Sequence, residues 1–183
     1  MVAESLRLLV LTALFAGASA AVGYMLIMLP NVEAFTALLF VAGWTLGAAR
    51  GITAALIASI LYFGLNPQGG LFPPLLAAQM LGAASAPLAG VVFRKVTAVR
   101  SIHWHGIAVL LGLSAFVVTL IFDLLTNLAF PLATSMNMKG ITVYLIGGIP
   151  FSLVHILSNI GIFIFIVPPL LDLVGRFHLT DAK

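Results

Sequence analysis

Apolar residues occur along the chain in six stretches, which short polar segments rich in proline and glycine separate. A helix of about 20 apolar residues crosses the hydrocarbon core of a bilayer. The pattern therefore predicts an all-α integral membrane protein with six transmembrane helices in one membrane domain, residues 1–183. The predicted spans are approximately 8–29, 34–49, 51–65, 71–93, 107–130 and 150–171.

Several span boundaries depend on a choice between alternatives. The small residues near the start of the chain imitate a signal-peptide cleavage site, but the apolar run continues to Leu29 and favours an uncleaved span. The second and third stretches are short, so they could form a re-entrant loop. That loop would leave Arg50 near the bilayer centre at a cost of about 2.5–3.5 kcal/mol, and two spans are therefore favoured. Pro131 is expected to end the fifth helix and Pro150 to begin the sixth.

Composition and charge support this class and predict an orientation. Charged residues make up 7% of the chain, whereas soluble domains contain about 25%. Seven of the eight lysine and arginine residues fall on one side of the six-span pattern, and only Lys139 falls on the other. Cytoplasmic loops carry an excess of basic residues, so both termini are predicted to be cytoplasmic.

Polar side chains of the last three predicted helices are expected to lie at one depth, in the outer half of the bilayer. Their depth follows from about 1.5 Å of rise per helical residue. The residues are Gln79, Asp123, Asn127, His155 and Asn159. Intramembrane ionisable residues usually mark substrate or ion sites. The alternative is that Asp123 pairs with His155, and the amides hydrogen-bond, only to hold the helices together.

The predicted outer loops contribute further polar candidates. Asn31 and Glu33 lie in the first loop, and Asn66 and Gln68 lie in the loop between the third and fourth spans. These loops either close over a ligand or are ordinary interhelical turns. Small residues on the first helix, spaced to let helices approach closely, either pack within the protein or dock a partner.

Other classes of function lack their motifs. The sequence contains no phosphate-binding loop, nucleophile elbow or zinc-protease motif, and it has no cysteine. His103 and His105 supply only two ligands, too few for a metal site. Basic residues stand mostly singly, unlike those of a nucleic-acid-binding face. We therefore expect no enzymatic activity, cofactor, metal or nucleic-acid partner.

Motifs in a fixed order resemble the substrate-binding S components of energy-coupling factor (ECF) micronutrient transporters. The resemblance covers almost the whole chain and adds to the six-span pattern. Its motifs are Ala16-x-x-x-Ala20, Pro30-Asn31-Val32-Glu33, Gly43-Trp44-Thr45-Leu46-Gly47 with Arg50-Gly51, Asn66-Pro67-Gln68-Gly69-Gly70 leading to Gln79, and Phe122-Asp123-Leu124-Leu125-Thr126-Asn127.

The resemblance implies a membrane subunit that binds one vitamin or related micronutrient on the outer side of a prokaryotic cell membrane. The two outer loops described above would close its pocket. The face of the first helix that contains Ala16 and Ala20 would dock a transmembrane T component, which couples to cytoplasmic ATPase subunits. A neutral or cationic heteroaromatic ligand is favoured, because the outer half offers Lys139 as its only cation.

Two rival functions remain open. A proton- or ion-coupled secondary transporter would use Asp123 and His155 as a relay, although the two halves of the chain show no clear repeat. A noncatalytic membrane scaffold would have no need for the polar layer.

Overall fold

The computed structural model describes residues 2–67, 69, 71–99 and 103–177, and all the regular structure in those ranges is helical. A π-helical turn, Ile60–Gly64, directly follows the third helix. The α-helices, in chain order, are α1 (Val2–Leu26), α2 (Phe35–Leu46), α3 (Ala48–Ser59), α4 (Pro73–Ala83), α5 (Ser85–Val99), α6 (Trp104–Ala133), α7 (Met138–Phe165) and α8 (Val167–Arg176).

Among the described residues, four segments are long and apolar enough to cross a membrane: Ala3–Leu26, Pro73–Val99, Trp104–Ala133 and Met138–Arg176. The second combines α4 with α5, and the fourth combines α7 with α8. The predicted all-helical class is therefore confirmed, and the long apolar helices are compatible with a multi-pass membrane protein. The second and third predicted spans correspond to shorter apolar helices, Phe35–Leu46 and Ala48–Gly64.

Two helix boundaries predicted from proline are wrong. Helix α6 continues through Pro131 to Ala133, and α7 begins at Met138 and contains Pro150 in its interior. Proline removes one backbone hydrogen bond, but apolar helices tolerate it when neighbouring groups satisfy the freed carbonyl. Proline is therefore a weaker signal for a helix end in this chain than in a soluble protein.

Helix α2 forms the centre of the bundle. Ten of its twelve residues are buried, and it contacts α1, α3, α5, α7 and α8. Its sequence is apolar apart from two threonines, and one of these, Thr45, donates its hydroxyl to the carbonyl of Val41 at 2.7 Å. Because protein surrounds α2 on nearly every side, an apolar helix of only 12 residues is stable there.

Glycine lets α2 and α5 touch backbone to backbone. A Cβ atom added at Gly43 would lie 2.0 Å from the carbonyl oxygen of Pro87, and one added at Gly90 would lie 2.0 Å from the carbonyl oxygen of Phe40. The connection from α2 to α3 is Gly47 alone, with a φ of +82°. Glycine adopts this left-handed conformation without the steric cost that a side chain adds.

The two ends of α2 meet different surroundings. At its C-terminal end, the guanidinium of Arg94 donates to the carbonyl of Trp44 at 3.1 Å and lies 5.9 Å from the centre of the Trp44 ring. At its N-terminal end, Glu33 approaches His155. Helix α2 therefore extends from the basic end of α5 to a cluster of buried polar groups.

The packing of α1 corrects the expected docking face. Ala16 and Ala20 are buried in the protein's own core, with exposures of 1% and 4%. The exposed small residues of α1 include Ala13, Gly17 and Ala21, which recur every fourth position. Small residues occur on both faces of this helix, so spacing alone could not select the outward one. Ala16 and Ala20 contribute to folding and not to a surface.

Candidate functional site

A histidine joins two carboxylates in the interior of the bundle. His155 of α7 lies with its Nδ1 atom 2.8 Å from Oδ1 of Asp123 on α6, and with its Nε2 atom 3.5 Å from Oε1 of Glu33. None of the three side chains is more than 15% exposed. The loop before α2 and helices α6 and α7 thus supply one charged group each to a single buried row.

Glu33 is fixed by several neighbours. The backbone N–H of Thr36 donates to its Oε2 atom at 2.9 Å, the Thr36 hydroxyl donates to Oε1, and Nδ2 of Asn159 donates to Oε1 at 3.3 Å. The loop itself is tied to α7, because the Ser158 hydroxyl donates to the carbonyl of Asn31 at 2.7 Å. Asn31 has a φ of 58°, a left-handed conformation that asparagine tolerates better than most residues.

Helices α6 and α7 meet through three successive polar pairs. Nδ2 of Asn159 donates to the Thr119 hydroxyl at 3.0 Å, Asp123 pairs with His155, and Nδ2 of Asn127 lies 3.4 Å from the Ser152 hydroxyl. Each α6 partner is four residues beyond the last, which is the spacing of one helix face. The polar face predicted for α6 is therefore turned towards α7.

Residues of this row line two cavities, and a third cavity shares Phe63 with both of them. The Glu33 cavity, of about 200 Å³, lies between the loop before α2 and the π-helical turn. The Asn66 cavity, of about 190 Å³, lies between that turn and α4. The Asp123 cavity, of about 190 Å³, lies between α6 and α7 and is also lined by Asn31 and Gln79. Phe63 lines all three.

Aromatic rings form the apolar walls of the cavities. The π-helical turn carries Tyr62 and Phe63, and their rings lie 5.3 Å from the ring of Phe35. The ring of Phe122 lies 5.8 Å from that of Phe63 and meets the His155 imidazole edge to face at 5.9 Å. π-Helical turns occur frequently at functional sites. This one directs two neighbouring rings towards the cavities.

The polar cluster leaves two acceptors without partners. Oδ2 of Asp123 and Oδ1 of Asn159 are buried and accept no hydrogen bond from any described residue. An unsatisfied buried polar atom costs about 1–3 kcal/mol. A bundle held together only by polar pairing would satisfy these atoms, so the unsatisfied acceptor of Asp123, a residue that lines a cavity, favours a binding site.

The charge around the cavities is negative. Their linings include Glu33 and Asp123 but, among the described residues, no lysine or arginine. Burial acts to raise the pKa of the Glu33 carboxyl, but the hydrogen bond and charge of His155, with the hydrogen bonds from Thr36, outweigh burial and hold that pKa below its usual value. The described residues contain no group of three or more metal-ligating side chains arranged to hold an ion.

Most of the predicted candidates meet at this site. Asn159 is fully buried and lines none of the three cavities. Its side-chain amide donates hydrogen bonds to Glu33 and Thr119. Gln68 lies outside the described residues. The candidates that line the cavities are Asn31, Glu33, Asn66, Gln79, Asp123, Asn127 and His155.

The sequence prediction missed two kinds of residue. Thr119, Ser152 and Ser158 supply hydroxyls to the polar pairs, and such residues are too common in apolar helices to stand out. Phe63 and Phe122 form the aromatic walls of the cavities. Their closeness in sequence to predicted site residues could have identified them, because Phe63 lies three residues before Asn66 and Phe122 directly precedes Asp123.

Comparisons of the chain with protein-family models, with curated proteins and with solved structures find no significant match.

Proposed function

We propose that this protein is the substrate-binding subunit of an ECF-type transporter, which takes up a vitamin or related micronutrient across a prokaryotic cell membrane. The main support is the convergence of five chain segments on one site. The loop before α2, the end of the π-helical turn, and helices α4, α6 and α7 surround adjoining cavities that contain two carboxylates and a histidine. In this proposal the protein binds its ligand and performs no catalysis.

The position of the site agrees with binding from outside the cell. Asp123 is 19 residues along α6 from Trp104, or about 28 Å of helix rise, and Trp104 follows the basic loop. In the proposed topology all six apolar segments cross the membrane and both termini are cytoplasmic. The contact of Arg94 with Trp44 supports the short α2 extending to the cytoplasmic side.

Cysteine labelling tests the topology, because the chain has no cysteine of its own. Thr134→Cys and His103→Cys introduce thiols at exposed positions beyond opposite ends of α6. A membrane-impermeant maleimide should label the first variant in intact cells and the second only after the cells are opened. The reverse result would invert the orientation and bring the site to the cytoplasmic side.

Native mass spectrometry of the purified protein tests the function most directly. A retained small molecule of micronutrient size supports a binding subunit, and its mass identifies the compound. Uptake of that compound should require the T component and the ATPase subunits. Uptake at the normal rate in cells that lack them would reject the proposal.

Exposed small residues of α1 are the proposed contact with the T component. Gly17 is exposed, and no atom lies within 4 Å of a Cβ added there, so Gly17→Trp leaves the fold intact and blocks a partner helix. The variant should retain the compound but fail to co-purify with the T component. Ala16→Trp is the matched comparison, since it should instead disrupt folding, because Ala16 is buried.

A secondary transporter driven by protons is the second candidate. Its specific support is the row from Asp123 through His155 to Glu33, with separations of 2.8 and 3.5 Å, which is short enough for proton transfer between neighbours. Uptake into liposomes that contain this protein alone, driven by a pH gradient, would favour this candidate. No uptake under those conditions favours the ECF subunit.

A further inference from the structure

The Asp123 cavity combines an unsatisfied acceptor with an aromatic wall. Oδ1 of Asp123 is engaged by His155, whereas Oδ2 is buried and has no partner in the described part of the chain. Asn127 and Gln79 bring side-chain amides to the same cavity, and Phe63 and Phe122 form its wall. The cavity is therefore lined by a carboxylate that has one unsatisfied oxygen, beside rings that suit a flat group.

The charge of the cluster indicates which charge the missing hydrogen-bond donor should carry. With both carboxylates ionised, the row of Asp123, His155 and Glu33 has a net negative charge whether or not the imidazole is protonated. No lysine or arginine among the described residues lines the adjoining cavities. An uncompensated buried charge is strongly destabilising, so a bound cation would complete the cluster.

The size of the cavity limits the group that enters. Its volume is about 190 Å³, and pockets for drug-sized ligands occupy about 300–1,000 Å³. It therefore holds a single ring and its substituent, while the adjoining Glu33 cavity has room for the rest of a larger molecule. A planar cation can donate to Asp123 and lie against the aromatic wall at the same time.

We infer that the Asp123 cavity receives a planar cationic nitrogen group of the transported compound, of the amidine or protonated amino-heterocycle class, which pairs with the Asp123 carboxylate. The inference rests on the proposed function and narrows the chemical class of the transported substrate. Carboxylates and phosphates are excluded from this cavity by the same charge.

A matched series of three probes tests the charge requirement. Benzamidine, benzamide and benzoate have the same ring and nearly the same shape, but their substituents are cationic, neutral and anionic. Affinities are measured by ligand-observed NMR on protein that has been washed free of its bound compound. Hydrogen bonds to charged groups contribute about 1.5–3 kcal/mol, so benzamidine should bind about ten- to 150-fold more tightly than benzamide, and benzoate should not bind. Equal affinities, or tighter binding of benzoate, would overturn the inference.

Variants test whether the preference for a cationic ligand depends on Asp123. Asp123→Asn keeps the shape but removes the charge, and it should lower the affinity for benzamidine at least tenfold. Asp172→Asn is the matched control, because Asp172 is an exposed carboxylate of α8 that pairs with Arg176. Gln79→Glu adds a carboxylate to the cavity and should tighten benzamidine binding, which decides the question even if Asp123→Asn does not fold. An unchanged affinity in folded Asp123→Asn, or no gain in Gln79→Glu, contradicts the inference.

The inference and the proposed function fail in different ways. If the retained compound is an anion and its uptake depends on the ECF partners, the function stands and the cation site is rejected. If benzamidine binds as expected but uptake needs no partner subunit, the cation site stands and the ECF function is rejected.

Discussion

Two helix contacts in this protein are built from opposite chemistry. Helices α2 and α5 touch backbone to backbone at Gly43 and Gly90, where the contact is apolar, and the hydrogen bond from Arg94 to Trp44 lies at one end of it. Helices α6 and α7 meet through polar pairs, and one oxygen of Asp123, a residue that lines a cavity, has no partner among the described residues. Close packing of small residues suffices to hold helices together in lipid. The α6–α7 contact therefore contains more polar side chains than helix packing requires. Several of them, including Asp123 and His155, line a cavity.

The largest expected effect is on the α2–α5 contact. Gly43→Leu would push a side chain into the Pro87 backbone, since even a Cβ atom there would lie 2.0 Å from the Pro87 carbonyl oxygen. Backbone cannot move aside as a flexible side chain can. We expect a loss above about 5 kcal/mol, the lower limit of typical native stability, so no monodisperse protein should be recovered by size-exclusion chromatography.

Gly147→Leu is the control for that experiment. Gly147 also lies within a helix, but no atom is found within 4 Å of a Cβ added there. This variant should behave as the wild type does. Recovery of both variants in equal yield would show that the α2–α5 contact is not a closely packed one.

Sequence reasoning found the polar contact more readily than the apolar one. Asp123 and His155 stand out because charged groups are rare and costly in an apolar helix. Gly43 belongs to a sequence motif, but neither it nor Gly90 identifies the helix that it packs against, since glycine is frequent throughout this chain. The face of α1 was misassigned for the same reason, as small residues lie on all sides of that helix.

Other features of the site could not be predicted from sequence for physical reasons. The contact of Glu33 with His155 joins positions 122 residues apart, and no helical periodicity relates them. The π-helical turn at Ile60–Gly64 follows an ordinary apolar stretch, and its local sequence gives no signal of the wider turn. The Tyr24 hydroxyl, which donates to the carbonyl of Leu61 at 2.7 Å, shows that tertiary contacts help to form that turn.

The next effect concerns the charge row of the α6–α7 contact. His155→Ala removes the imidazole between Asp123 and Glu33 and leaves two buried carboxylates without it. Breaking a buried ion pair costs about 3–5 kcal/mol, equivalent to about 6–20 °C in melting temperature for a chain of this size. Thermal unfolding in detergent measures the change. His105→Ala, at an exposed position, is the control and should leave the melting temperature unchanged.

A smaller effect separates binding from stability within the same contact. Asn127→Leu keeps the approximate shape and loses only a long 3.4 Å contact with Ser152, so the melting temperature should change little. Binding of the compound recovered by mass spectrometry should weaken about two- to twelvefold, the equivalent of one neutral hydrogen bond. Normal affinity with lowered stability would mean that Asn127 holds the helices together and does not contact ligand.

The smallest expected effect is a pH dependence at Glu33, the loop residue that completes the charge row. Its pKa is lowered in the folded protein despite burial, because His155 and Thr36 stabilise the ionised carboxylate. A lowered folded-state pKa contributes stability above the unfolded value of 4.5, and that contribution is lost as the pH falls through the folded value. The melting temperature of the wild type should therefore fall more between pH 7 and about pH 3.5 than that of Glu33→Gln, which has no carboxylate to protonate at this position. Equal losses in the two proteins would show that ionisation of Glu33 does not contribute to the acid sensitivity.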